Sequence, residues 1–227
     1  MRHLSLGLST GALIALVGSI TLQSGVPQGA QPRTILENEY VRVSQIDALA
    51  PGYTISRTPD SPEIALWLVD SSIQLLSRGA TKTIDSFDFG SVQFLNEKIE
   101  SKVEAPGGCD PLRLVLIDLI TIPPSTPFEK DAVKLDRAHN KVLFENDRVR
   151  IVHLQFPLGE KGPIVDKRPR VIILLTDMHA QVVKPGGQPE PRDGTAGTIY
   201  WSLGGSQATM NRNETKLANI VVELKGK

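Results

Sequence analysis

The chain has one cysteine, no surplus of either charge and no closely spaced histidines, and each shortage removes a class of chemistry. Cys109 alone allows no internal disulfide, no cysteine-built zinc knuckle and no Cys-x-x-Cys redox centre. It sits in the turn-forming run Pro106-Gly107-Gly108-Cys109-Asp110-Pro111 with no neighbouring base, which reads as a structural thiol. The 25 basic residues balance 25 acidic ones, whereas a nucleic-acid binder wants a basic excess. Of the four histidines, His3 is in the leader, His139 in a linker, His153 on a strand and His179 in a turn. None has His-x-His or helical spacing. Ser202-Leu203-Gly204-Gly205-Ser206 is not a nucleophile elbow, and Gly159-Glu160-Lys161 lacks the rest of a phosphate loop. Apolar residues are plentiful, 40% of 227, so the chain folds rather than staying disordered. With 19 glycines and 16 prolines, it is richer in turns than a helical protein would be.

Charge is also missing from Leu4 to Pro32. Behind Arg2 and His3 runs the apolar stretch Leu4 to Leu22. The small and turn-forming residues Ser24, Gly25, Pro27, Gly29 and Ala30 follow. A short positive start, an apolar run and small residues make a secretory signal peptide over 1–30. The run is also near the roughly 20 residues that span a bilayer, so an uncleaved anchor is the alternative. No cysteine stands there to carry a lipid. The expected location is periplasmic or extracellular, with membrane contact only through this segment if it is retained.

The body of the chain repeats itself. Glu37-Asn38-Glu39-Tyr40-Val41-Arg42-Val43 matches Glu145-Asn146-Asp147-Arg148-Val149-Arg150-Ile151 at an offset of 108. From Gly52 and Gly159 onward the offset is 107. It carries Ile64–Asp70 onto Val171–Asp177, Gln74–Leu76 onto Gln181–Val183, and Gly90, Val92 and Phe94 onto Gly197, Ile199 and Trp201. Leu114–Leu119 resembles Asn219–Leu224. The alternation of Val41, Val43, Val149 and Ile151 with arginines is that of half-buried strands, and Val171–Leu175 and Ala218–Leu224 are buried ones. Asp177–Ala180 reads as a hairpin turn, and Trp67 and Trp201 as core residues. Only Phe128–Lys141 has helical character, and Ile120–Pro127, with three prolines, reads as a linker. The expected organisation is all-β: a signal segment at 1–30, one barrel at 31–119, a linker at 120–138 and a second barrel at 139–227.

Two blocks of the second copy resemble the cupin superfamily. Glu145–Arg150, with Leu158-Gly159-Glu160-Lys161-Gly162-Pro163 after it, is similar to the opening of a cupin domain. Gly197 to Asn211 is similar to the second cupin motif, with Gly197, Gly205 and Asn211 in place. The resemblance covers 35–119 and 142–225 and implies two tandem double-stranded β-helix (jelly-roll) barrels, a bicupin. It also implies a metal site built from a His-x-His pair, a nearby Glu and a later His. Those positions fall on Val165 and Lys167, on Val171 or Ile172, and on Gln207. In the first copy they fall on Thr58 and Asp60, on Ile64 or Ala65 with Glu63 one residue before, and on Glu100. In the second copy valine donates nothing, a charged lysine repels a cation and glutamine is a weak donor, and in the first Asp60 and Glu100 could at best give a weak oxygen-only site for Ca²⁺ or Mg²⁺, so no metal and no cofactor is expected.

The weak ligand-binding candidates are therefore Thr58, Asp60, Glu63, Glu100, Lys167, Arg170 and Gln207, with no catalytic residue among them. The basic run Lys167-Arg168-Pro169-Arg170 would lie at a barrel mouth and could draw an anion such as a carboxylate or acidic sugar, though a solvated loop is the preferred reading. The expected function is an exported, metal-free module that binds a small molecule or plays a structural part, with no nucleic-acid partner. Homo-oligomerisation is left open. The alternative is a cupin-type enzyme, either a sugar isomerase or epimerase or a metal-dependent dioxygenase.

Overall fold

The computed structural model describes residues 32–48, 54–57, 61–68, 70–77, 83–95, 101–104, 112–124 and 128–226. The leader, Thr58, Asp60, Glu100 and Cys109 lie outside them. The first copy runs β1 (Arg33–Glu37), β2 (Val41–Ala48), β3 (Thr54–Arg57), β4 (Glu63–Trp67), β5 (Ser71–Ser77), β6 (Thr83–Phe87), β7 (Val92–Leu95), β8 (Ser101–Glu104) and β9 (Leu112–Leu119). One helical turn, α1 (Ala132–Leu135), precedes the second copy. That copy runs β10 (Asn140–Glu145), β11 (Val149–Phe156), β12 (Val165–Lys167), β13 (Arg170–Leu174), β14 (Met178–Val183), β15 (Glu190–Gly194), β16 (Ile199–Ser202), β17 (Gly205–Asn211) and β18 (Leu217–Leu224).

Each copy pairs a five-stranded sheet with a four-stranded one. The orders are β1-β2-β9-β4-β7 and β3-β8-β5-β6, then β10-β11-β18-β13-β16 and β12-β17-β14-β15. The second copy's order is that of the first with every strand advanced by nine. Local devices repeat too. Asn38 Oδ1 accepts from the backbone N–H groups of Tyr40 and Val41, and Asn146 Oδ1 from those of Arg148 and Val149. The β1–β2 register shifts between Thr34 and Leu36, and the β10–β11 register between Val142 and Phe144. Asp70 accepts from the N–H of Phe89, and Asp177 from that of Ala196. Gly90 and Gly197 turn at φ 83° and 84°, in the left-handed region that a side chain disfavours.

The five-stranded sheets are apolar on both faces. One face of each packs against the other in a shared core: Val41, Val43, Ile64 and Ile117 against Val149, Ile151, Val171 and Ile173. Aromatic pairs cross the same seam, with Tyr40 stacked on Trp201 at 5.7 Å and Phe94 on Phe144 at 5.1 Å. The opposite face of the second sheet turns Val152, Leu154, Phe156, Ile172 and Val221 into its own barrel.

Three sequence expectations are corrected. Phe128–Lys141 holds a single helical turn, capped by Asp131, whose side chain accepts from the Val133 N–H. Asp131 also makes a β-bridge to Asp166, the turn is closed by Asp136 at its C-cap, and the chain enters β10 at Asn140. His179 is on strand β14 rather than in a turn, because its backbone pairs with Asp193. Lys167–Arg170 is not a solvated loop: Arg170 is 4% exposed on β13, and Arg168 lies 4.1 Å from the Phe128 ring.

Candidate functional site

Strand pairing builds the site from residues far apart in the sequence. On the inward face, β11, β18 and β13 bring Arg150, Glu223 and Arg170 into one row, Arg150 and Arg170 each standing directly across from Glu223. Below it lie the rows Val152, Val221, Ile172 and then Leu154, Asn219, Leu174. The opposing sheet supplies Lys167 from β12 and Gln207 and Thr209 from β17. Together these side chains line a cavity of about 170 Å³, joined by Met178, Ala180, Val182, Tyr200 and Trp201.

The charges are unequally satisfied. Arg150 takes Glu223 Oε2 with Nε at 2.8 Å and Nη2 at 2.6 Å, and donates from Nη1 to Asp131 Oδ2 at 2.9 Å. Burial disfavours its charge, but Asp131 and Glu223 outweigh that and hold the guanidinium above its ordinary pKa. Asp131 likewise ends below its ordinary value despite burial, through Arg150. Both carboxylates are thus spent on Arg150. Arg170 has no ion pair among the described residues, and its Nε is buried without a hydrogen-bond partner. Burial pushes Arg170 down to about 10, against the pull of Glu223. Lys167 has no ion pair among the described residues either. Burial, and then Arg170, push it down to about 7. A buried cation without a contacting anion is costly, by several kcal/mol in general. Such a wall favours a bound anion.

The mouth of this barrel is framed by the segment before α1. The Glu129 and Lys130 N–H groups donate to Asp166 Oδ2, and Ser206 Oγ donates to Oδ1 at 2.5 Å. Gly204, at φ 89°, lies so close to β12 that a Cβ there would stand 2.0 Å from the Lys167 carbonyl oxygen. Asn211 is fully buried, and its Nδ2 donates to the carbonyls of Phe156, Pro157 and Thr215, which makes it a structural tie.

Of the sequence-derived candidates, Lys167, Arg170 and Gln207 line this one cavity. Glu63 is 1% exposed in the first barrel, where it pairs across the strands with Asp118. Thr58, Asp60 and Glu100 lie outside the described residues. Sequence reading missed Arg150, Glu223, Asp131 and Asn219. A visible signal existed for the first two: each is a lone charge inside an apolar strand, which calls for a buried partner.

The resemblance implies a metal, and the second barrel does not fit one. Val165 pairs with Gln207 on neighbouring strands, with Lys167 two residues along. Their donor set is an alkyl group, a neutral amide and a cation, with the buried Arg170 guanidinium beside them. Among the described residues no group of three or more His, Cys, Asp or Glu could hold a metal ion.

This architecture is the cupin fold, carried by two tandem barrels. The chain resembles AerE from Microcystis aeruginosa with a TM-score of 0.59 and 15% identity over 86% of this chain and 97% of that one. It resembles a cupin 2 conserved barrel domain protein from Leptotrichia buccalis with a TM-score of 0.55 and 13% identity, covering 87% and 90%. Vicilin from hazelnut, Corylus avellana, superposes with a TM-score of 0.57 and 10% identity, covering 86% and 83%. No protein-family model matches the chain, and no curated protein matches it. At these identities the likeness is one of fold.

Proposed function

We propose that the chain is an exported binding module of bicupin architecture that holds a small molecule in its second barrel without a metal centre. The carrying observation is the cavity of about 170 Å³ walled by the buried Arg170 and the half-buried Lys167, the latter at a position where the resemblance implies a metal ligand. The uncharged apolar leader supports export. The test is recovery of the protein from the envelope and medium of its own host. Elemental analysis, mass spectrometry of a denatured extract and N-terminal sequencing then follow. The expected result is a small molecule released on denaturation, no stoichiometric iron, zinc or manganese, and an N-terminus near residue 31. One tightly held transition metal per chain would overturn the metal-free reading. A soluble cytoplasmic protein retaining Met1 would overturn export.

One observation favours a second reading, metal-free acid–base catalysis. Lys167 at about 7 is in the range of a general base, and the Tyr200 hydroxyl borders the same cavity with, among the described residues, only the Met178 sulfur, at 4.0 Å, as its partner. Deuterium exchange into an extracted ligand, catalysed by the wild-type chain and lost in Lys167→Met, would support it.

A further inference from the structure

We propose that the second barrel recognises a small monocarboxylate with a compact apolar body, the carboxylate seated against Arg170 and Lys167 and the body in the pocket of Val152, Leu154, Val182 and Val221. This rests on the reading of that barrel as a binding chamber and names the class of its ligand.

Charge sets the first property. The buried row and its mouth residue carry Arg150, Arg170, Glu223 and Asp131, which cancel in sum. The contacts are not shared equally, because Glu223 and Asp131 both close on Arg150 and, among the described residues, leave the Arg170 guanidinium with no carboxylate against it. Lys167 adds one positive charge when protonated. Arg192, the remaining cation of the lining, is exposed and has Glu190 3.7 Å away, so the buried part of the site has room for one negative charge. A dianion would arrive with an unmatched charge in a place where desolvation is costly. A planar guanidinium also matches a carboxylate through two parallel hydrogen bonds.

Shape sets the second. The wall away from the cations buries Val152, Leu154, Val182 and Val221, with Asn140, Asn219, Thr209 and Gln207 as the polar groups beside them. Asn219 Oδ1 is buried without a hydrogen-bond partner, an acceptor within reach of one donor on the ligand. A cavity of about 150 Å³ holds benzene, so about 170 Å³ suits a carboxylate carrying a branched aliphatic or single-ring body. Sugars, with a hydroxyl on every carbon, would leave part of their donors against Val152, Leu154, Val182 and Val221.

The test is titration calorimetry on the full chain with isovalerate and benzoate, their amides isovaleramide and benzamide, succinate and inorganic phosphate. Both acids should bind, and each amide should bind about tenfold or more weakly, because it keeps the shape and loses the charge-assisted contact. Succinate and phosphate should bind more weakly than the acids. Arg170→Met should erase the preference of acid over amide. Val182→Phe should exclude benzoate and serves if the arginine variant does not fold. Amides that bind as tightly as their acids would overturn carboxylate recognition while leaving the chamber intact. Tightest binding of succinate or phosphate would overturn the single charge. Failure of every probe would overturn the ligand class. Only an extract that also contains no small molecule would bring down the chamber reading itself.

Discussion

In the first barrel three neighbouring strands bring Arg42, Asp118 and Glu63 into one row; the same three strands of the second bring Arg150, Glu223 and Arg170. The central acid is kept in both, and so is the arginine on one flank. On the other flank an acid faces a base. Arg42 leans outward and pairs with Glu37, both half exposed, while Glu63 and Asp118 are buried. Arg150 turns inward, is almost fully buried and recruits Asp131 from the segment between the copies. The backbone devices repeat faithfully: the Asn turns, the bulge, and the glycines at positive φ. The charged row does not. Folding constrains turn residues through steric limits that no neighbour can relieve. A buried charge is constrained only through its partners, which can change with it.

The largest effect should come from separating the barrels. Each five-stranded sheet has one face of Val, Ile and Leu packed against the other sheet in a shared core. Cutting near Pro124 exposes that face, and exposed apolar faces of this size drive association. Both halves should aggregate or fail to express in soluble form. Two soluble, monomeric halves by light scattering would show that each barrel is self-sufficient and that the shared core is incidental.

Next comes the asymmetry between the two flanking arginines. Arg150→Met leaves Glu223 and Asp131 buried without their cation and should cost about 3–5 kcal/mol in denaturant unfolding. Arg42→Met removes an exposed pair and should leave unfolding unchanged within error. Equal losses would mean that the rows are energetically alike and that inward pairing in the second barrel confers nothing special.

Much of this fold was legible because duplication writes every signal twice. Asn38 and Asn146, Asp70 and Asp177, and Gly90 and Gly197 stood at nearly constant offsets, and each pair does the same job in three dimensions. Lys167 and Gln207 were found because motif positions specify them. Arg170 is a candidate from the sequence, yet its run reads as a solvated loop, since three cations around a proline look like a surface turn. What buries Arg170 is pairing with β16 and β18, which no local pattern reveals. The Arg150–Glu223–Asp131 cluster was illegible for the same reason. Its members lie 19 and 73 residues apart and meet only when β18 inserts between β11 and β13.

A smaller effect of opposite sign should follow from Lys167. A cation pushed down to about 7 in the folded chain opposes folding below its ordinary pKa. Lys167→Met should therefore stabilise the protein at neutral pH by roughly 1–3 kcal/mol, the full shift being discounted for partial exposure. The same variant should lose carboxylate affinity. In the wild type, affinity should fall as pH rises past the raised pKa that the bound anion gives the amine. Destabilisation by Lys167→Met would show that the ammonium has a protein partner and is not held for a ligand.

The smallest effect contrasts two histidines of the second barrel. His139 places Nδ1 2.6 Å from Asp136 Oδ1 and Nε2 2.6 Å from Glu160 Oε2, with its ring stacked on Phe156 at 4.3 Å. Burial works against its charge, but hydrogen bonds to Glu160 and Asp136 prevail, and its pKa is raised above 6.5. His153 is pushed the other way, by burial and then by Lys216 and Lys141. The folded state therefore binds its proton more tightly than the unfolded state at His139, and less tightly at His153. The His139 contribution is fully present below about pH 6.5 and is lost as pH rises through the raised value. The His153 contribution is present above about pH 6.5 and is lost as pH falls through the lowered value. His139→Gln should flatten the loss of stability on the alkaline side of 6.5 and leave the acid side alone, and His153→Gln should do the reverse. Unfolding midpoints in denaturant across pH 5 to 8 would read both slopes. If both variants altered the same limb, the clasp of Asp136 and Glu160 would not be holding a charged imidazole, and the His139 contacts would be those of a neutral ring.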